Sequence, residues 1–185
     1  MDKKQAREIG RTARKEIAAE DRALLDSELF KQAIDLLPSC HTIGCYVSLK
    51  EEAGTALIID WCLKHRIAAA LPVVIGDELQ FRELQRKEDL VKDRFGIYVP
   101  SNGRLVLPEE MDLIFVPLTS FDDKGNRTGF GRGYYDRYLS RCRMKIGLAY
   151  ACQKVDQIET DADDIRLDMI MTPTQQFCVY RKNDL

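Results

Sequence analysis

Residues 121–139 read FDDKGNRTGFGRGYYDRYL, in which Gly129, Gly131 and Gly133 alternate directly ahead of a helix-forming run. Lacking a Cβ, such glycines let successive backbone N–H groups converge on one anion, and a helix N-terminus adds donors and a dipole. Arg127 and Arg132 flank the cradle with fixed charge suited to bidentate phosphate contacts. Asp136 follows closely, and a carboxylate beside bound phosphates is how proteins usually hold Mg2+. The chemistry on offer is the binding and alignment of a phosphoryl group. The pattern is neither a GK[ST] phosphate loop nor a GxGxxG dinucleotide turn. Glycines alone would equally suit a plain strand-to-helix loop in which Tyr134 and Tyr135 are packing aromatics; the two arginines and the acid favour the cradle.

The elements that must position this segment can be read from periodicity. Ala6, Ile9, Ala13 and Ile17 recur at helical spacing, as do Leu24, Leu25, Leu29, Ala33 and Leu36 before Pro38 ends the stretch. The first helix is rich in Lys and Arg; such a face serves either as a solvated surface or as part of an anion site, with Ala6 and Ile9 docking it. Short strands and helices then alternate: strands at 42–48 and 67–74, a helix at 55–65, and a weaker, edge-type strand at 78–84. Residues 112–117 (DLIFVP) are a continuous apolar run of the kind buried on both faces of a sheet. A short helix at 134–141 and strands at 145–150, 169–172 and 176–181 complete the pattern. The fold class is α/β: a three-layer α/β/α sandwich with a mostly parallel, mixed central sheet, forming a single domain over residues 1–185. Ligands in such sheets sit beyond the carboxyl ends of the strands, which points to the loop after Pro117.

Composition sets the outer limits. With 45% apolar and 31% charged residues the chain is an ordinary globular protein rather than a disordered one. A net charge of −2 gives no general attraction to nucleic acid or anionic membrane, and neither is expected as a partner. The six cysteines are scattered without a CxxC pair, mostly within apolar stretches, so they read as reduced, buried groups and not as a disulfide framework or a zinc site. A charged N-terminus and the lack of a transmembrane-length run make the cytoplasm the expected compartment. Phe81, Tyr98 and Trp61 read as core aromatics.

The stretch DLIFVP…FDDKGNRTGFGRGYYDRYL resembles the signature of the 5-formyltetrahydrofolate cyclo-ligase family, also called methenyltetrahydrofolate synthetases. The basic first helix, Glu52 with Thr55 after the first strand, and the late pair Leu167-Asp168 extend the resemblance over nearly the whole chain. Two departures stand out: Leu118-Thr119-Ser120 replaces a glycine-containing turn, and 160–164 (TDADD) lacks a histidine common there.

The resemblance implies ATP as co-substrate, held by Lys3, Lys4 and Arg7 together with Arg127, Thr128, Gly129, Phe130, Gly131, Arg132, Gly133, Tyr134 and Tyr135. It implies Mg2+ on Asp136 and Asp168, although Asp168 by itself reads as a solvated loop carboxylate. The folate, with or without a polyglutamate tail, would meet Val47, Glu52 and the 130–134 turn, with Phe130 and Tyr134 against its flat rings. Glu52 alone reads as a surface acid at a helix start. Arg132, Tyr134 and Asp136 would carry the chemistry: ATP-dependent closure of 5-formyltetrahydrofolate to 5,10-methenyltetrahydrofolate in a monomeric enzyme. A sugar-phosphate isomerase would want a proton-transferring base that GYYD does not supply. An RNA-binding module would want aromatics among the basic residues of the first helix, and residues 2–18 contain none.

Overall fold

The computed structural model describes residues 1–131 and 133–179. Strands β1 (Thr42–Gly44), β2 (Ala68–Ile75), β3 (Glu78–Leu84), β6 (Leu105–Val106), β7 (Leu113–Pro117), β10 (Lys145–Leu148), β11 (Met169–Met171) and β12 (Gln176–Cys178) form one sheet in the order β12-β11-β10-β7-β1-β2-β3-β6. The five inner strands from β11 to β2 run parallel, while β12, β3 and β6 pair antiparallel outside them. The mixed sheet is therefore as expected, and β3 is covered by β6 instead of forming the edge. Two hairpins escaped sequence reading, β4 (Leu90–Lys92) with β5 (Tyr98–Pro100), and β8 (Ser120–Phe121) with β9 (Arg127–Thr128). Their strands are too short for an alternation to show.

The period-2 geometry of the strands divides the core in two. Leu113, Phe115, Ile146 and Leu148 face one layer, packing with Leu29 and Ala33 of α2 (Ala19–Ala33) and Ile58 and Cys62 of α3 (Ala56–His65). Ile114, Val116 and Ile170 face the other, meeting Phe121 and Leu139, the latter from α4 (Tyr134–Leu139). The continuous DLIFVP run reflects a strand buried on both sides.

Helix α1 (Lys3–Lys15) is N-capped by Asp2, whose carboxylate accepts from the amides of Lys4 and Gln5 at 2.8 Å. It docks through Ala6, Gly10 and Arg14, not through Ile9, which is 44% exposed. Small residues let the helix approach residues 118–120, and a buried arginine, donating to the Leu118 carbonyl at 3.3 Å, replaces the apolar contact expected there. Tyr98 lies exposed on its hairpin, Phe81 is fully buried, and Trp61 packs half-buried against the core. Cys152 and Cys178 are exposed while the other four cysteines are buried, and all six are free. No helix of the described residues is long and apolar enough to cross a membrane.

Candidate active site

A cavity of about 720 Å³ opens at the carboxyl ends of β1, β2 and β7. Tyr46, Val47 and Glu52 enter from the segment after β1, Pro72 and Val74 from β2, and Pro117 from the end of β7. Lys3 and Arg7 approach from α1, residues 127–131 and 133–136 close a second side, and Asp93, Phe95, Ile97 and Val99 of the β4–β5 hairpin close a third. The sheet thus delivers three chain segments, remote in sequence, to the place its topology dictates.

The glycine segment is more specialised than its alternating pattern implies. Gly131 and Gly133 take φ of 88° and 64°, the left-handed region where a side chain is strained, whereas Gly129 needs no such freedom. Gly129 instead offers its carbonyl to Arg7 Nε at 2.6 Å, which fastens α1 to the loop. Phe130 is 49% exposed at the cavity, with the Arg11 guanidinium 5.4 Å above its ring. Arg132 lies outside the described residues.

Arg127 does not extend its fork to solvent. Its side chain is 6% exposed, and its terminal nitrogens donate to the Ile165 carbonyl and, at 2.8 Å, to Asp136 Oδ1. A guanidinium so buried requires internal partners, so Arg127 anchors Asp136 in the first turn of α4. The same Oδ1 accepts at 3.3 Å from the amide of Ile165, the residue that follows Asp164 in the chain. Asp161 and Asp164 also line the cavity, and both pair with Lys3 Nζ, Asp161 at 2.7 Å. Burial lowers the Lys3 pKa, but hydrogen bonds to Asp161 and Asp164 outweigh it and hold the ammonium above its ordinary value.

Among the sequence-derived site residues, Lys3, Arg7, Val47, Glu52, Arg127, Thr128, Gly129, Phe130, Gly131, Gly133, Tyr134, Tyr135 and Asp136 all line this one cavity. Lys4 does not: it is exposed, one step around α1 from Lys3. Asp168 is not among the residues that line the cavity. Its carboxylate receives both the amide and the ammonium of Lys145 at 2.8 Å, at the amino end of β10. The parallel register sets Lys145 beside Ile114 and Leu148 beside Pro117, so the cavity lies toward the other end of these strands. Lys145 is 5% exposed and needs that counter-ion. Asp161 and Asp164, which do line the cavity, belong to the TDADD run, legible in the sequence only as an unusual acidic cluster. The hairpin residues Asp93, Phe95, Ile97 and Val99 carried no sequence signal at all.

Glu52 is 5% exposed, and its Oε2 accepts from the Leu49 amide at 2.8 Å. Burial pushes its carboxyl above the ordinary 4.5, while the Leu49 hydrogen bond and the positive Arg14 pull it back only in part. A ligand that needs the carboxylate therefore loses affinity, as pH falls, sooner than it would with an ordinary glutamate. Ligand affinity measured against pH should show this acid limb, and Glu52→Gln should abolish the limb while weakening binding throughout. A limb unchanged in Glu52→Gln would remove Glu52 from the ligand site.

The 5-formyltetrahydrofolate cyclo-ligase family model matches residues 1–173. The chain is 33% identical over 153 residues to the 5-formyltetrahydrofolate cyclo-ligase of Haemophilus influenzae, covering 77% of this chain and 82% of that protein. The solved 5,10-methenyltetrahydrofolate synthetase of Aquifex aeolicus superposes with a TM-score of 0.88 at 30% identity, covering 99% of this chain and 95% of that one. The corresponding synthetase of Mycoplasma pneumoniae gives 0.77 at 29% identity over 94% and 99% of the two chains. With a family match across nearly its full length and a shared fold, the chain belongs to the 5-formyltetrahydrofolate cyclo-ligase family.

Proposed function

We propose that the protein converts 5-formyltetrahydrofolate to 5,10-methenyltetrahydrofolate, consuming ATP and releasing ADP and phosphate. The observation that carries this reading is one cavity that brings Glu52 on one side together with Lys3, Arg7 and residues 127–131 and 133–136 on the other. One side suits the N–H donors of a pterin ring, the other a polyphosphate. Phe130 and Tyr134 between them offer flat surfaces to the folate rings.

A formyl group on N5 is an amide: its carbon is a weak electrophile and its oxygen a poor leaving group. In the proposed reaction the formyl oxygen attacks the γ-phosphorus of ATP and displaces ADP, giving an iminium-like phosphate. The N10 lone pair then attacks the formyl carbon, the C–O bond breaks toward phosphate, and N10 gives up its proton as the ring closes. No nucleophilic side chain is required. The protein's task is alignment and charge neutralisation, for which Lys3, Arg7 and the turn at 129–133 are suited.

The donor chemistry fits Mg2+. The cavity is lined by the hard carboxylates of Asp136, Asp161 and Asp164 and, among the described residues, by no histidine or cysteine. Mg2+ bound with a nucleotide takes phosphate and water oxygens beside one or two carboxylates, so these acids would suffice. Asp136, with Asp164, would hold the ion, and Asp168 would not. When bound, Mg2+ supplies charge neutralisation on the phosphates.

The mechanism is tested by labelling the formyl oxygen with oxygen-18. The label is expected in the released phosphate; label retained in water or in the folate would contradict phosphorylation of that oxygen.

A further inference from the structure

Glu52 stands on a segment without regular structure between β1 and α3, yet the backbone of residues 51–54 is fixed almost atom by atom. The Glu51 carbonyl accepts from Arg22 Nη1 at 3.0 Å, and the Glu52 carbonyl accepts from the Tyr150 hydroxyl at 3.1 Å. The Ala53 carbonyl accepts from the Tyr46 hydroxyl at 2.9 Å, and the Gly54 amide donates to Asp26 Oδ1 at 2.8 Å. The one Tyr150 hydroxyl proton is shared between the Glu52 carbonyl and Asp26 Oδ1, the latter at 2.7 Å, and Arg22 lies 5.3 Å over the Tyr150 ring. Gly54 permits this approach, because a Cβ there would stand 2.2 Å from Asp26 Oδ2. Four consecutive residues are thus each held by a side chain, three of them by Arg22, Tyr150 and Asp26 from outside the segment and one by Tyr46 within it.

We propose that Tyr150 and Asp26 are positioning residues for folate recognition, holding the Glu52 backbone so that its carboxylate is presented to the cavity at a fixed height and angle. The inference rests on the reading of Glu52 as the folate-binding acid. Neither residue lines the cavity, so each acts through Glu52 and not on the ligand. Burial raises the Tyr150 hydroxyl pKa, reinforced by Asp26, so the phenol remains a donor throughout the working pH range. A carboxylate that matches a row of ring N–H donors needs such support, since sub-ångström placement decides how well two hydrogen bonds form together.

The test is Tyr150→Phe, which removes the hydroxyl and keeps the ring, with Asp26→Asn as a second variant that keeps shape and an acceptor. The dissociation constant of 5-formyltetrahydrofolate without nucleotide and the separate KM values for folate and ATP are the readouts. Tyr150→Phe should weaken folate binding about tenfold and leave the KM for ATP within about twofold. Asp26→Asn should act in the same direction more weakly, and it carries the test if Tyr150→Phe does not fold. In a Glu52→Gln background the Tyr150→Phe effect should largely vanish, because the group being positioned is gone. Unchanged folate binding, an equal rise in the KM for ATP, or the same loss in the Glu52→Gln background would each overturn the proposal. If Glu52→Gln alone leaves folate binding at the wild-type level, the reading of Glu52 itself falls, and the positioning role falls with it.

Discussion

Asp136→Asn is expected to lower kcat about 100-fold or more while the protein stays folded. Asn keeps the Oδ1 acceptor used by Arg127 and by the Ile165 amide but removes the charge that faces the cavity. The stability cost is that of a weakened charge-assisted hydrogen bond on a buried guanidinium, about 1–3 kcal/mol. At about 2–4 °C per kcal/mol for a chain of this size, Tm should fall by several degrees at most for the smaller cost and by about ten for the larger. Arg127→Met separates the two roles from the other side. It strands Asp136 and removes a buried partner, so it should cost stability more heavily, about 3–5 kcal/mol. Steady-state kinetics beside thermal melts decide the matter. Near-normal kcat in Asp136→Asn would reduce Asp136 to a counter-ion for Arg127.

Lys3→Ala combined with Arg7→Ala should raise the KM for ATP about tenfold or more, with folate affinity affected less. Both side chains point from one face of α1 into the cavity, as residues four apart on a helix do. Lys3 shares its charge with Asp161 and Asp164, and Arg7 ties the Gly129 carbonyl, so the pair also sets the distance between α1 and the glycine turn. Neither is deeply buried, and partly exposed ion pairs are typically worth about 0–1 kcal/mol, so Tm should move little. An unchanged KM for ATP, measured at saturating folate, would return this helix face to the role of a solvated surface.

The fold was legible wherever periodicity carried it. The two N-terminal helices, α3 and the parallel strands all left apolar patterns, and DLIFVP identified the central strand because burial on both faces leaves no polar alternation. The β4–β5 hairpin was not legible: its strands are short, and Phe95, Val91 and Tyr98 are exposed, so no face repeats. Within the site, the GFGRGYYD segment announced itself through residue type and spacing, whereas Lys3 and Arg7 were singled out only through the family resemblance. Asp168 misled because a carboxylate in sequence carries no sign of its partner; only the fold reveals Lys145 buried against it. Conversely, Asp161 and Asp164 were assigned no role from the sequence, and both meet Lys3 at the cavity. Ile9 failed as a docking residue for a similar reason, since close helix packing used Ala6 and Gly10, whose small side chains give a weak hydrophobic signal.

The central claim is that this one cavity couples ATP cleavage to folate ring closure. Its most direct measurement follows the near-ultraviolet absorbance of the methenyl product together with ADP release from the purified protein. Product should form only when ATP, Mg2+ and 5-formyltetrahydrofolate are present together, with one ADP released for each product molecule. Ring closure without nucleotide, or none with all three supplied, would contradict the account.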